Sequence, residues 1–247
     1  MVSFVAFFNI IKTMKAFYIK SNVFLLRIKR CFTAVLLLVF ALFSGFFSAC
    51  TTETVYFDYV SELRNNIFIA KNETFSLRIY SVCKESPYQA DGIPRECVTR
   101  TEVYLLAPSG DKICNLSFSD GKQSYGGEMS YDSVKAEYYY SCTLDISACK
   151  TLSCHVEYGD EVLDFTAHSV LTETTLSPQA VLETLRTAEA ELFASMTDKY
   201  GFTGEIYLRL IYEDAPFYYV GVISRNGEIY AFLMNAETGK ILAKRQS

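Results

Sequence analysis

A run of twenty residues without a charge, Cys31 to Cys50, constrains this 247-residue chain more than any other feature. Every charge before it is positive, since residues 1–49 contain six lysines and arginines and no acid. A cationic start, an apolar stretch and small residues at its end are typical of a secretory signal. The run also approaches the roughly 20 residues that span a bilayer. A cleaved signal at 1–49 and an uncleaved transmembrane anchor both remain open, and both place residues 51–247 outside the cytoplasm.

The end of this run resembles the cleavage site of bacterial lipoprotein signals, because the small residues Ser48-Ala49 precede Cys50. The resemblance implies that Cys50 carries the lipid and that residues 50–61 form a tether on the extracytoplasmic face of the cell membrane. A single acyl chain anchors a protein only marginally, so two or more chains on Cys50 are expected. Met14-Lys15 looks like a more ordinary start of the protein, so residues 1–13 are interpreted as the result of a wrongly assigned start codon.

The charge balance of the remaining chain excludes one class of partner. Residues 50–247 carry 17 basic and 28 acidic side chains, a net charge of −11. An acidic surface repels the phosphates of nucleic acid, and we therefore predict no nucleic-acid partner. The length leaves room for one large domain or two small ones.

The first half of this part has the alternating hydrophobicity of half-buried strands, with Phe75, Leu77 and Ile79 on one parity and polar residues between them. Turn signals such as Pro108-Ser109-Gly110 separate the alternating segments. These segments lie at about 75–83, 98–106, 113–118, 137–144 and, as a hairpin, 155–165. Short strands at this spacing predict an antiparallel β-sandwich over 62–170.

The second half changes to a helical period after a linker at 171–177. Ser177-Pro178 predicts a helix N-cap followed by proline at the first helical position, and Gly201 predicts the end of that helix. The apolar stripe of this helix comprises Val181, Leu185, Ala188, Leu192 and Met196. Three antiparallel strands are predicted at 205–212, 217–225 and 228–235, with a hairpin turn at Asn226-Gly227. The predicted fold class is therefore mainly β, with a one-helix, three-strand α+β part at 178–247.

The number and spacing of the cysteines do not determine which of them form disulfides. Beyond Cys31 and Cys50 there are six cysteines, and six allow fifteen pairings. The first half resembles an immunoglobulin-like module in one respect, since Cys83 and Cys142 share core-facing parity and Tyr140 has the spacing of a tyrosine corner. The resemblance implies a disulfide between Cys83 and Cys142.

The C-terminal part resembles a PepSY-type domain. The residues that carry this resemblance are Tyr218 to Val222, the turn at Asn226-Gly227, and Tyr230 to Leu242 with its Thr238-Gly239 step. The resemblance implies a non-catalytic binding or regulatory role outside the membrane, with inhibition of a peptidase as one form. An envelope protein or a peptidase would then be the partner.

Motifs for catalysis and metal binding are weak. Cys149, Cys154 and His155 lack the spacing of a zinc site, and a strand would place Cys154 and His155 on opposite faces. Ser-x-x-Lys occurs at 81–84 and 147–150 without the motifs that accompany it in penicillin-recognising enzymes. We predict no enzyme activity, no metal and no cofactor. An envelope hydrolase of unrecognised type and a self-associating structural envelope protein remain alternatives.

Tyrosines offer one further binding feature. They cluster in the sequence, and clustered tyrosines form a protein-binding surface when their rings face solvent. The clustered tyrosines are Tyr138, Tyr139, Tyr140, Tyr218 and Tyr219. Alternation along a strand places most of them in packing positions instead.

Overall fold

Strands form most of the structure, a computed structural model that describes residues 54–87, 89 and 91–247. In chain order the elements are a 3₁₀ helix (Tyr56–Tyr59), β1 (Val60–Lys71), β2 (Ser76–Glu85), β3 (Cys97–Leu106), β4 (Cys114–Ser119), β5 (Ser124–Glu128), β6 (Ser130–Asp132), β7 (Glu137–Cys142), β8 (Thr151–Tyr158), β9 (Glu161–Ser169), α1 (Pro178–Ala188), α2 (Ala190–Ser195), β10 (Thr197–Asp198), β11 (Gly201–Phe202), β12 (Gly204–Glu213), β13 (Ala215–Ser224), β14 (Ile229–Asn235) and β15 (Ile241–Gln246). The predicted signal or anchor at 1–49 and the predicted lipidation site Cys50 lie outside the described residues. In the described part of the chain, no helix is long and apolar enough to cross a membrane.

The first hydrophobic core lies inside an antiparallel sheet that folds back on itself. Strands β1, β2, β3, β7 and β6 are neighbours in that order, and β9, β8, β4 and β5 follow from the other side of β1. Inward residues of both series share this core: Phe68, Leu77, Ile79, Val103, Leu105 and Tyr138 with Leu116, Phe118, Val156 and Ala167. The Tyr140 hydroxyl on β7 donates to the Gly126 carbonyl on β5 at 3.0 Å, so the two ends of the sheet approach each other. The prediction of a mainly β, antiparallel fold is confirmed.

The second core lies between α1 and the strands β12 to β14. Val181, Leu182 and Leu185 of the helix are buried with Leu208 and Val220 of the sheet. The predicted helix start is confirmed, since Ser177 Oγ accepts from the Ala180 N–H at 3.2 Å and Pro178 is the first helical residue.

The predicted end of the helix at Gly201 is wrong. The helix breaks at Glu189, α2 ends at Ser195, and the chain then forms the β10–β11 hairpin. In this hairpin Phe202 is buried against Phe193 and against Tyr56 of the 3₁₀ helix. We attribute the early stop to this aromatic packing, which a continued helix would forfeit.

Strand β1 joins the two cores. Residues Val60 to Arg64 pair in parallel with β12, whereas Phe68 and Ile69 pair with β9. Phe68 is buried in the first core and its neighbour Ile67 in the second, as expected for the alternating faces of a strand. Residues 54–247 accordingly form one compact unit. The division into a sandwich at 62–170 and a second domain at 178–247 stays a prediction.

Asn66 holds the crossing point in place. The pairing of β1 with β2 shifts between Arg64 and Asn66, and the Asn66 side chain is 1% exposed. Its Nδ2 donates to the carbonyls of Ser147 and Cys149 at 3.0 and 3.3 Å. Its Oδ1 accepts from the Ser169 hydroxyl at 2.7 Å. This amide satisfies the backbone where β1 changes partners, which a buried irregularity requires.

Candidate functional site

Five tyrosines alternate along their strands with residues that are buried in the two cores, and the Tyr80 ring also packs against the second core. Each has at least one strand neighbour that is buried in a core, so alternation turns its ring to the other face of its strand. The five are Tyr80 on β2, Tyr104 on β3, Tyr139 on β7, Tyr207 on β12 and Tyr219 on β13. We call this surface, with the charged side chains between these rings, the tyrosine face. Only Tyr139 and Tyr219 belong to the clusters visible in the sequence.

The rings of the tyrosine face contact one another across neighbouring strands. The ring centroids of Tyr80 and Tyr104 are 5.4 Å apart, and those of Tyr104 and Tyr139 are 5.1 Å apart. On the other side of β1, Tyr207 stacks on Tyr219 at 5.8 Å. Aromatic contacts of this kind contribute about 0.5–1.5 kcal/mol beyond simple burial, so they hold the rings in fixed positions.

Guanidinium groups connect the two sets of rings. Arg64 on β1 lies 4.2 Å above the centre of the Tyr80 ring, and Arg209 on β12 lies 4.7 Å above that of Tyr207. Arg64 and Arg209 are register partners in the parallel β1–β12 pair. The tyrosine face is therefore continuous from β13 to β7 across the strand that joins the cores.

Carboxylates pair with these cations. Glu62 accepts from Arg209, Glu102 accepts from Lys84, and the two carboxylate residues are 7% and 5% exposed. The hydroxyl of Tyr104 donates to Glu102 at 3.2 Å. In the same way, Arg78 pairs with Glu137 and Lys135 with Asp132. The cations and carboxylates of this face are thus interspersed as ion pairs.

Burial favours the protonated phenols of Tyr104 and Tyr207. It raises the pKa of Tyr104 above its ordinary value, and the nearby Glu102 carboxylate raises it further. Burial also raises the pKa of Tyr207, with the hydroxyl of Tyr219 as the next cause. These hydroxyls therefore act as neutral hydrogen-bond donors and acceptors at any physiological pH.

The structure does not bring Cys83 and Cys142 together. Cys83 lies on β2 opposite Thr99, Cys142 lies on β7 opposite Thr101, and strand β3 separates them. All six cysteines of the described residues are free thiols. The nearest cysteine position to Cys83 in the sheet is Cys97, which lies opposite Glu85 on the same face of the neighbouring strand.

Cys154 and His155 point to opposite faces of β8, as their adjacency predicts. Cys154 is buried in the first core, and burial raises the pKa of its thiol to about 12. His155 is exposed, and its Nδ1 lies 2.8 Å from Asp164 Oδ1. No group of three or more histidine, cysteine, aspartate or glutamate side chains among the described residues is arranged to hold a metal ion.

One row of side chains resembles a catalytic arrangement only superficially. Ser117, His155 and Asp164 stand side by side on β4, β8 and β9, along a shallow pocket of about 400 Å³. The Asp164 side chain is 82% exposed, whereas a serine-hydrolase triad buries its acid so that the imidazole stays oriented. Water therefore competes for both groups of this His–Asp pair.

The Ser-x-x-Lys motif at 81–84 cannot act as a unit. Ser81 is buried and Lys84, three positions along the same strand, lies on the opposite face and pairs with Glu102. In the motif at 147–150, Ser147 lies in a loop and Lys150 is exposed just before β8.

Against known proteins, no family model, no curated protein and no solved structure matches this chain.

Proposed function

We propose that this chain is a lipid-anchored protein of the extracytoplasmic membrane face that binds another envelope protein through the tyrosine face, without catalysing a reaction itself. The export signal before Cys50 supports the location. The tyrosine face is the observation that carries the binding role. Tyrosine and arginine are enriched among the residues that dominate binding energy at protein interfaces.

The contacts within the tyrosine face suit it to binding. Its rings and guanidinium groups are already held by stacking and by Glu62 and Glu102, so docking loses little side-chain entropy. The neutral phenols of Tyr104 and Tyr207 offer hydrogen bonds at fixed positions.

The tether keeps this domain close to the membrane. Three residues lie between Cys50 and Thr54, the first described residue, and each of the four steps that join them spans at most about 3.6 Å in an extended chain. The following 3₁₀ helix packs through Tyr56 on Phe193 and Phe202. A lipid on Cys50 would therefore hold this end of the domain within about 14 Å of the bilayer surface.

The finer fold assignments belong to the same proposal. The order of one helical segment followed by the antiparallel strands β12 to β14 supports a PepSY-like part at 178–247. The shared core of the two strand series supports an immunoglobulin-like sandwich at 62–170. The PepSY resemblance directs the search for the partner toward envelope peptidases.

A photo-reactive amino acid at Tyr139 is expected to cross-link one envelope protein in intact cells, and the same label at Tyr200 is not. Tyr200 is the matched control because it is 82% exposed and lies on the β10–β11 hairpin, away from the tyrosine face. With the purified partner, Arg64→Ala should weaken binding about 30-fold, the effect of losing a 2 kcal/mol anchor. Calorimetric titration of both proteins measures this change.

Equal cross-linking at both positions, or unchanged affinity in a folded Arg64→Ala protein, would remove the tyrosine face from the proposal. A partner that is a peptidase should also lose activity on addition of the wild-type protein. A partner whose peptidase activity is unchanged would contradict the inhibitory form of the proposal only.

Replacement of Cys50 by alanine is expected to release the protein from the membrane fraction or to leave it unprocessed. Wild-type protein should have the intact mass of residues 50–247 plus acyl groups, because the thiol of Cys50 is the point of lipid attachment in this proposal. The measurement is intact mass with detergent phase partition. A full-length mass shared by both proteins would instead establish an uncleaved anchor.

A further inference from the structure

Cys83 and Cys97 lie beside each other at the ends of two paired strands. In the antiparallel β2–β3 pair, Cys83 is opposite Thr99 and Glu85 is opposite Cys97. Residues two apart in a strand share a face, so the two cysteines are diagonal neighbours on one face of the sheet. No other pair of cysteines is paired this closely by the strand register of the described residues.

The direction of the Cys97 side chain brings its sulfur toward Cys83. Cys97 Sγ lies 3.2 Å from the carbonyl oxygen of Ser61 and 3.4 Å from that of Val60, both on β1. Strand β2 lies between β1 and β3, so these contacts place the Cys97 sulfur on the side of β3 that faces β2. On β2 the Cys83 sulfur accepts a hydrogen bond from the Thr99 hydroxyl at 3.7 Å on the same face.

The surroundings keep Cys97 in the thiol form in the reduced protein. Burial raises the pKa of Cys97 to about 12, and the neighbouring Cys83 sulfur is the second cause of this shift. The Glu85 and Glu62 carboxylates add to it. A thiol with such a pKa is slow to attack an oxidant, because the thiolate is the nucleophile in disulfide exchange.

We propose that Cys83 and Cys97 form a disulfide bond between β2 and β3 in the exported protein. The proposal rests on the extracytoplasmic location proposed above, where disulfides persist. The oxidant is a disulfide-bearing thiol oxidant. The Cys83 thiolate attacks the oxidant disulfide and releases one thiol, and the Cys97 thiolate then attacks the Cys83 sulfur and releases the second. The protein loses two protons and two electrons, and one oxidant disulfide becomes two thiols.

The geometry requires only a small adjustment. Diagonal neighbours have Cα atoms about 7–8 Å apart, and a disulfide spans up to about 6.8 Å. Both cysteines lie at strand ends, beside the segment that connects β2 to β3. A closure of about 1 Å is therefore enough, at the position in the sheet where it disturbs fewest ladder hydrogen bonds.

The bond would fix the base of this connecting segment. The segment is already held by Arg95, whose backbone N–H donates to Glu85 Oε1 at 2.5 Å, and by Gly92, whose N–H donates to Glu205 Oε2 at 2.9 Å. A covalent link from Cys83 to Cys97 closes a loop of about 15 residues and restricts the unfolded chain accordingly.

Peptide mapping after equilibration with oxidised and reduced glutathione tests the proposal on the full-length protein. After alkylation, trypsin without reductant should release fragment 79–84 linked to fragment 96–100, at a mass two hydrogens below their sum. The cleavage sites are Arg78, Lys84, Arg95 and Arg100. Cys97→Ser should abolish the linked fragment, and Cys142→Ser should leave it unchanged.

Reduction should lower the Tm by about 6–12 °C in wild type and leave that of Cys97→Ser unchanged.

Three outcomes overturn the proposal. The first is alkylation of both fragments without prior reduction. The second is fragment 79–84 linked to fragment 136–150, which contains Cys142 and Cys149. The third is a Cys83–Cys97 disulfide that forms in the glutathione buffer, while both cysteines are free thiols in protein isolated from the envelope with acid quenching. The disulfide and the proposed function fail in distinguishable ways. If the disulfide forms but the Tyr139 label captures no partner, the docking role is contradicted and the disulfide stands.

Discussion

Replacing Phe68 by alanine is expected to lower the free energy of unfolding by about 3–5 kcal/mol, and Leu208→Ala by about 2–5 kcal/mol. Phe68 is fully buried in the first core and Leu208 in the second. Each change leaves a cavity that close-packed neighbours fill only in part. Both variants should shift the same single transition, because β1 pairs with β12 at one end and contributes Phe68 and Ile67 to different cores.

Urea unfolding of residues 51–247, followed by far-ultraviolet circular dichroism and by tyrosine fluorescence, measures this effect. Val134→Ala is the control, since this side chain is 94% exposed and its loss should change stability by less than about 0.5 kcal/mol. Two separate transitions, each moved by only one of the core variants, would contradict this expectation. They would support instead the two independent domains that the sequence predicts.

Alanine at Glu205 should lower the free energy of unfolding by about 2–4 kcal/mol and release the segment between β2 and β3. The Glu205 side chain is completely buried. It accepts hydrogen bonds from the Ser61 hydroxyl and, at 2.9 Å, from the Gly92 N–H. Without this carboxylate, both donors lose a buried acceptor. Glu205→Gln should be less destabilising, because its amide oxygen still accepts from one of the two.

Hydrogen exchange at the Gly92 amide and tryptic cleavage after Arg95 report on this segment directly. Both rates should rise in Glu205→Ala and stay near wild type in Glu191→Ala, whose exposed carboxylate lies on α2. Cleavage after Arg95 that is equally slow in the Glu205→Ala protein would show that Glu85 alone holds the segment. Gly92 itself leaves little room for change, since a Cβ there would lie 2.7 Å from the Ser224 carbonyl oxygen.

Local signals in the sequence predict most of the elements. Period-two alternation identifies β2, β3, β4 and β7 to within one or two residues, and Asn226-Gly227 marks the turn between β13 and β14. Ser177-Pro178 likewise marks the start of α1. These signals work because strand alternation, caps and tight turns depend on neighbouring residues only.

The missed elements are those whose stability comes from distant contacts. The strands β5, β6 and β15 lie at sheet edges, and their sequences alternate weakly. The central strand β1 was also missed, because its two faces are buried in different cores and its sequence does not alternate. The helix ends six residues before Gly201 in favour of packing between Phe202 and the 3₁₀ helix, which lies some 145 residues earlier in the chain. Tertiary packing decides such positions against local propensity.

The sequence by itself determined the location expected for this protein and the alternation of its strands, because both follow from residues close together in the chain. Which tyrosines share a face was decided by the order of strands in the sheet, which places β12 beside β1. The same order separates Cys83 from Cys142 and places it next to Cys97. Strand order and register arise from non-local pairing, and only the tertiary structure contains that information.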